Sequence, residues 1–546
     1  MSDILFNLVH AGELKQFCDG VMAQAPAGAR FDSASAATES LGALTGGSNI
    51  KTPLILDTLL GNVSAGREQA TLKAFYDGVT MYQKEHGRPP SSDLFLTAAH
   101  QAQYLFDSAS NAHHDQISIQ PGLPQVAIMS PFALACPFAG YLPAGYTSNE
   151  CRIVVLDHVA GSDWGDYRVG SSLDGINGGK SYLSAARQMA LLAPNEAKIY
   201  QFTFRRATGD AASPPVSLLR GRTVVFVGGR RAITEVSNGQ SNAANVPING
   251  IVRLNGTDYT LTGIIKPASG EVTITPNPAL PQNTQVLVNA FIDYESENDS
   301  PEIAVRTSTF SVFASPFRMS YSATPEARSQ LALELGIDAN SEASLVMRGQ
   351  YAMERHYEAL KLCLILASGN TLTYDCAFSQ QYQQKTRAQI WQDFATPLNL
   401  VGQRMAEETG DHGITHLYVG KLIRAQLMSL PPELFIPSGL TERASIYRIG
   451  RLNGRYEVYY TPRHLAEADD GSSAEVLCIG RSDQVARNPI IFGDASPLMV
   501  EPLGVTKNAK SGNVGNARSI TSDNPHPPSA SGCALITVIN INMKGQ

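Results

Sequence analysis

Apolar residues recur at helical spacing late in the chain. Ala343, Val346, Met353, Tyr357, Leu360, Leu364 and Ala367 stand three, four or seven apart, interrupted at Gln350. This pattern predicts one long helix from Asn340 to Ser368, with Leu360 and Leu364 in a core. At ~1.5 Å per residue it spans about 40 Å, the width of a small domain, which suits a structural spine better than a catalytic element. Asp338 or Ser341 can cap its start, and Gly369 offers a left-handed stop. A short helix precedes it. Thr324-Pro325-Glu326 supplies a capping hydroxyl, a proline with φ already set and an acid at the positive end, and Gly336 ends the helix.

Between Pro214-Pro215 and the polar run Glu295 to Pro301 the period changes from helical to alternating. Thr223–Val227, Gly250–Leu254, Asp258–Leu261, Glu271–Thr275 and Gln285–Tyr294 read as strands, rich in β-branched residues. Asn255-Gly256 joins two of them with the residues that a type I′ turn requires, since both central positions need positive φ. Residues 215–300 therefore read as a β-sandwich inserted into a host domain. Residues 1–90 read as helical, with helices at Glu13–Ala23 and Arg67–Glu85 around a loop at Ala25–Asn49. Residues 91–214 are more irregular, with strands at Arg152–Leu156 and Ile199–Arg205 and a helix at Tyr182–Leu192. The last section, 301–546, carries the spine, a second Asn-Gly hairpin at Asn453-Gly454 and a terminal strand at Ala534–Ile541.

The order strand (Phe310–Met319), short helix, Leu335-Gly-Ile-Asp-Ala-Asn-Ser-Glu-Ala-Ser-Leu345 and long helix resembles the middle of tailed-bacteriophage major capsid proteins of the Hong Kong 97-type fold. The likeness continues downstream. Tyr447 to Pro462 is similar to that family's hairpin ending in a tyrosine-rich strand and proline, Glu475 to Asp483 to the strand after it, and Ile490 to Pro502 to the returning segment. The match covers roughly 300–546 and rests on the order of several motifs. The 215–300 strands also resemble β insertions of phage structural proteins. The resemblance implies an α+β fold whose spine (340–368) lies in a peripheral domain, an axial domain at about 395–490, and an N-terminal arm and extended loop from 91–214.

Composition narrows the function classes. At 546 residues the chain is long enough for three or four domains, and its formal net charge of -7 is spread out. No run of Arg and Lys interleaved with aromatics grips phosphates, so direct nucleic-acid binding is not expected. The start Met1-Ser-Asp-Ile-Leu lacks a signal-peptide pattern, no apolar run reaches the ~20 residues that span a bilayer, and cytosolic production follows. Seven single cysteines (18, 136, 151, 363, 376, 478 and 533), none in a C-x-x-C pair, read as buried thiols.

Four stretches invite an enzymatic reading and fall short of it. Gly175 to Ser181 approaches a phosphate loop, but Asp174 stands where the motif needs its first glycine, so Lys180 reads as part of a surface turn. His412 and His416 have zinc-helix spacing without the intervening Glu, and Gly410 and Gly413 disfavour a helix. His113-His114-Asp115 reads as a solvated loop. Glu354, Arg355, His356 and Glu358 read as the polar face of the spine, in intrahelical ion pairs or contacts to neighbouring elements. With no G-x-S-x-G elbow or nucleophile pattern, the expectation is a non-enzyme with no catalytic, cofactor-binding or metal-binding residues.

The resemblance implies a virion protein. It would self-assemble in the host cytoplasm into hexamers and pentamers of an icosahedral head that encloses DNA without sequence-specific binding and makes no membrane contact. Its implied further partners are portal, scaffold and decoration or minor capsid proteins. The alternative is another phage structural or carbohydrate-binding β protein, in which 215–300 would be the working part. A cytosolic hydrolase has only the incomplete motifs above.

Overall fold

The computed structural model describes residues 68–111, 123–142, 144, 148–195, 198–236, 244–336, 338–377, 385–504 and 510–541. The expected helix at Glu13–Ala23, the loop at Ala25–Asn49, Cys18 and His113-His114-Asp115 lie outside them. The fold is α+β. The chain divides into two compact units, one of Met1–Val155 with Thr309–Gln546 and one of Leu156–Ser308.

The first described elements of this unit are three helices, α1 (Glu68–His86), α2 (Ser92–Asn111) and α3 (Leu123–Ala133). The last two occupy ground where the sequence predicted irregular structure. Strand β1 (Gly140–Tyr141) follows, and the chain leaves the unit through β2 (Glu150–Ala160).

The second unit holds β3 (Ala186–Leu191), β4 (Tyr200–Thr203), β5 (Val224–Val227), β6 (Arg230–Thr234), β7 (Val246–Leu254), β8 (Thr257–Lys266), β9 (Glu271–Asn277) and β10 (Val286–Phe291). They form two four-stranded antiparallel sheets, ordered β3-β10-β5-β6 and β4-β9-β8-β7. Phe202, Val225, Leu261, Val272 and Val288 are completely buried in their shared core. Asn255 (φ 49°) and Gly256 (φ 86°) make the expected turn between β7 and β8. The compact unit is larger than 215–300, because β3 pairs along the whole of β10 and β4 along β9. Tyr182–Leu192 contains a strand rather than the expected helix. Its Arg187 side is buried while Gln188 is exposed, a period of two that good helix formers did not reveal.

The chain returns through β11 (Ile303–Phe313), which pairs with β2 in a two-stranded ribbon, and continues as β12 (Ser315–Ala323), so the expected single strand at Phe310–Met319 is two. Helix α4 (Pro325–Leu335) is capped as read: Thr324 accepts the Ala327 amide and Gly336 turns left-handed at φ 65°. The 29-residue spine α5 (Ala339–Ala367) starts at Asp338, whose carboxylate accepts the amides of Asn340 and Ser341. Its end differs from expectation. Ser368 is right-handed and Gly369 does not adopt positive φ.

Beyond the spine come β13 (Thr371–Asp375), α6 (Arg387–Asp393), α7 (Ala395–Thr409), β14 (Ile414–Val419), α8 (Lys421–Met428), β15 (Phe435–Pro437), β16 (Tyr447–Leu452), β17 (Tyr456–Tyr460), β18 (Ser473–Gly480), β19 (Ile490–Leu503), β20 (Ser511–Asp523) and β21 (Cys533–Ile539). Seven strands form one mixed sheet, β13-β21-β18-β14-β17-β16-β15, and β1-β19-β20-β12 form another. The seven-stranded sheet is covered on both faces. Along β18, Val476 and Cys478 join a core with Trp391 of α6, Leu398 of α7 and Phe394 at their junction, whereas Leu477 and Ile479 join one with Leu360 and Cys363 of the spine and with α1 to α3. Burial on both faces explains why β17 and β18 read as nearly unbroken apolar runs.

Candidate functional site

The spine's buried stripe is Met347, Tyr351, Arg355, Ala359, Cys363 and Ala367, a row of four-residue steps, with Leu360 beside it. This corrects the sequence reading by part of a turn. Val346 is 60% exposed and Met353 38%, Leu364 is only half-buried, and Arg355 is 6% exposed. Periodicity located the helix; it did not identify which face is covered, because a buried arginine carries the wrong label in any hydropathy pattern.

Arg355 is buried because every polar demand around it is met. Its Nη1 donates to Asp494 Oδ1 at 2.9 Å and to Tyr351 Oη at 3.1 Å, its Nη2 to the Ile520 carbonyl at 3.1 Å, and its Nε to Thr521 Oγ1 at 3.3 Å. The guanidinium lies 4.5 Å from the Phe492 ring centroid. Gln101 of α2 donates to the other Asp494 oxygen at 2.8 Å. Asp494 stands where the β19–β20 register shifts, a bulge that re-aims a side chain. One residue therefore registers the spine on β19 and β20, and Asp494 ties α2 to the same point. A second clamp joins α2 to the segment after β18: Arg481 Nη2 contacts both oxygens of Asp93 at 2.9 and 3.0 Å, and its Nη1 donates to the Pro137 carbonyl at 2.6 Å. Asp93 Oδ2 also accepts the Tyr141 amide of β1 at 2.8 Å.

His356, next along the spine, enters an aromatic cluster. Its Nε2 lies 2.8 Å from Tyr418 Oη, while His86 Nδ1 of α1 lies 3.1 Å from Tyr459 Oη. The Tyr418 and Tyr459 rings stack at 5.3 Å, and His416 sits 6.0 Å from Tyr459. A cavity of about 290 Å³ borders His86 and His356. Burial pushes His356 down to about 4. Burial, then the neighbouring His356 and Arg448, pushes His86 down to about 3. Burial, then Arg481 and Arg88, holds His416 well below the usual imidazole range. His416, at 5% exposure, is the most deeply buried of the three.

His356 and His86 fold neutral, and their contribution is present above the unfolded value of ~6.5 and is lost as pH falls towards about 4 and about 3 respectively, each adding up to ~1.4 kcal/mol per pH unit inside its window. Urea unfolding between pH 7.5 and 4.5 should therefore show stability falling steeply below pH ~6. His356→Phe should lower the slope by one proton. A slope unchanged by this substitution would remove His356 from the titrating set.

The remaining sequence candidates are dispersed. Gly175–Asn177 is a 3-10 turn, and the Lys180 amide donates to Tyr167 Oη at 3.3 Å, with strand β3 rather than a helix following. His412 lies in the turn between α7 and β14, and His416 lies on β14, where Thr415 Oγ1 is 2.8 Å from its Nδ1. Both His412 ring nitrogens are buried without a hydrogen-bond partner, and Nδ1 lies 3.6 Å from Asp411 Oδ2. Among the described residues no group of three His, Cys, Asp or Glu is placed to hold a metal. Cys136, Cys151, Cys363, Cys376, Cys478 and Cys533 are buried and free. No described helix is long and apolar enough to cross a membrane. The ribbon strands, in contrast, carry exposed apolar residues: Val154 (53%), Leu156 (55%), Val305 (62%) and Phe313 (65%). The β16–β17 hairpin turns through Asn453 (φ 51°) and Gly454 (φ 66°) as expected.

No family model and no curated protein matches the chain. Among solved structures, it is similar to one described as Microbacterium phage Oxtober96, at 11% identity over 60% of this chain and 94% of that one, with a TM-score of 0.30. It is similar to the jumbo bacteriophage PhiKZ capsid at 9% identity, over 74% and 91%, with a TM-score of 0.32. It is also similar to the SrpI encapsulin complex of Synechococcus elongatus at 11% identity, over 44% and 79%, with a TM-score of 0.27.

Proposed function

We propose that this chain is a major capsid protein, a non-catalytic subunit that self-assembles into the hexamers and pentamers of an icosahedral head around viral DNA. The observation that carries the reading is the order of elements. A strand, a capped short helix and a 29-residue spine are followed by a tyrosine-rich hairpin, and by a returning strand, β19, on which the spine is fixed through Arg355 and Asp494. This is the succession that the motif resemblance implied.

On this reading the spine and β1-β19-β20-β12 make a stiff peripheral plate, about 395–490 forms the axial domain, and the paired ribbon β2–β11 is the extended loop that lies on a neighbouring subunit. Its exposed Val154, Val305 and Phe313 then supply apolar contact area at each repeat. Individually weak contacts, repeated by symmetry around a closed shell, give cooperative assembly. Portal, scaffold and decoration proteins would be its further partners, the virion its location and the host cytoplasm its place of assembly.

Electron microscopy and sedimentation of the purified full-length chain should find closed particles of capsid size. Phe313→Ser should reduce their yield while leaving the melting temperature within ~2 °C, because an exposed residue contributes little to the isolated fold. A small oligomer under all assembly conditions would overturn the reading.

A further inference from the structure

The fold gathers a basic cluster that no stretch of the sequence displays. Glu457, completely buried on β17, accepts from three arginines: Arg448 Nε at 2.6 Å, Arg451 Nη2 at 2.5 Å and Arg88 Nε at 3.0 Å. Arg88 lies between α1 and α2, more than 350 residues from the other two in sequence. Among the described residues, three guanidinium groups against one carboxylate leave two positive charges unbalanced. The neighbouring Arg443 is matched by Glu85, with contacts at 2.5 and 3.2 Å, and does not change that balance. Arg455 contributes its carbonyl, which accepts from Arg88 Nη2 at 3.0 Å, while its own guanidinium lies over the Tyr456 ring at 5.3 Å and stands apart from the cluster.

The geometry holds these groups rigid while leaving donors unused. Arg448 is 9% exposed, and its guanidinium lies so close to Gly87 that any β-carbon there would overlap it. Only its Nε is hydrogen-bonded among the described residues; both terminal nitrogens lack an acceptor. Among the described residues Arg88 and Arg451 each keep one terminal nitrogen without a hydrogen-bond acceptor, and their side chains are 44% and 30% exposed. Glu457 thus orients the arginines without neutralising them. Repulsion among the three cations is relieved by an added oxyanion, and planar guanidinium forks suit phosphate oxygens.

We propose that Arg88, Arg448 and Arg451, oriented by Glu457, bind the phosphate backbone of duplex nucleic acid. Arg88 and Arg451 both reach solvent, at 44% and 30% side-chain exposure, so two separate cations face outward, which suits successive phosphates of a polymer better than a single small anion. The site reads charge and spacing, not base sequence. It revises the expectation, drawn from the absence of a basic run, that the chain makes no direct nucleic-acid contact. The proposal is independent of shell formation.

Fluorescence anisotropy of a labelled DNA duplex with the full-length protein, as a function of salt, tests it. Arg88→Gln and Arg451→Gln should each lower the slope of log affinity against log salt by about 0.9 and weaken binding roughly tenfold at ~0.05 M salt. Arg253→Gln, an exposed arginine of the second unit paired with Asp258, should leave binding unchanged. Arg88 is exposed enough that its substitution should preserve the melting temperature, so loss of binding at unchanged stability supports the site. Duplex affinity equal to the parent in both variants overturns it. Calorimetric binding of inorganic phosphate that needs Arg88 and Arg451, with no duplex binding, overturns it in favour of a small-anion site.

Discussion

Replacing Arg355 with Met should destabilise the spine-bearing unit by about 3–5 kcal/mol, the usual consequence of removing one partner of a buried ion pair. The side chains of Arg355 and Asp494 are 7% and 12% exposed, so water cannot replace what is lost. Asp494 would keep only Gln101 and Tyr351 as partners, and the Ile520 carbonyl and Thr521 hydroxyl would each lose a charged donor. The double variant Arg355→Met with Asp494→Leu should recover most of the stability, because two apolar side chains of similar volume avoid the cost of desolvating both charges. Urea unfolding of the parent, both single variants and the double variant measures the cycle. A single Arg355→Met variant within ~1 kcal/mol of the parent would mean that packing alone sets the spine on the sheet. If the double variant is stable but assembles poorly, the ion pair acts on register, since leucine and methionine can slide where a bulge-directed carboxylate and a guanidinium fork cannot.

Residues 156–308, expressed alone, should fold into a cooperative β domain, whereas 215–300, the segment that the sequence marked out, should not. The shorter fragment lacks β3 and β4. Without them β10 loses six paired residues, from Ala186↔Phe291 to Leu191↔Val286, and β9 loses its pairing with Tyr200–Thr203. The core also loses Trp164, Tyr182, Phe202 and Phe204, each between 0% and 4% exposed. At roughly 1.5–3 kcal/mol for each large buried side chain, their absence exceeds the ~5–15 kcal/mol by which most domains are stable only when taken together with the lost strand pairing. Circular dichroism and thermal melting of both fragments decide the matter. A cooperative transition in 215–300 would show that β3 and β4 are additions to an already sufficient sandwich.

Local signals account for what was legible in the sequence. The caps Thr324 and Asp338 act on amides two or three residues away, and the Asn-Gly turns at 255 and 453 need only two residues with positive φ, so neighbours in sequence suffice to specify them. The strands at Tyr447–Leu452, Tyr456–Tyr460, Ser473–Gly480 and Ile490–Leu503 were legible through the resemblance that their motifs carry. Their alternating or continuous apolar runs match a sheet buried on one or both faces. Strand β20 was not readable. Its Gly512 and Gly515 weaken strand propensity, yet a β-carbon at Gly512 would overlap the Tyr321 carbonyl of β12, so the glycine that hides the strand permits the close approach that makes it.

The sequence by itself determined the existence and length of the spine, its N-terminal cap and the two tight hairpins, and the succession of its motifs carried the resemblance to a shell subunit. The spine, its cap and the hairpins depend on contacts within a few residues or on a repeating apolar period. Only the tertiary structure decided which face of the spine is covered, that Arg355 lies inside it, that β3 and β4 belong with the strands after residue 215, and that Arg88 meets Arg448 and Arg451 on Glu457. The physical reason is common to these cases. A charged side chain is stable in a core, and a helix-forming segment is stable as a strand, only when partners distant in the chain supply the hydrogen bonds, and those partners leave no mark on the local pattern.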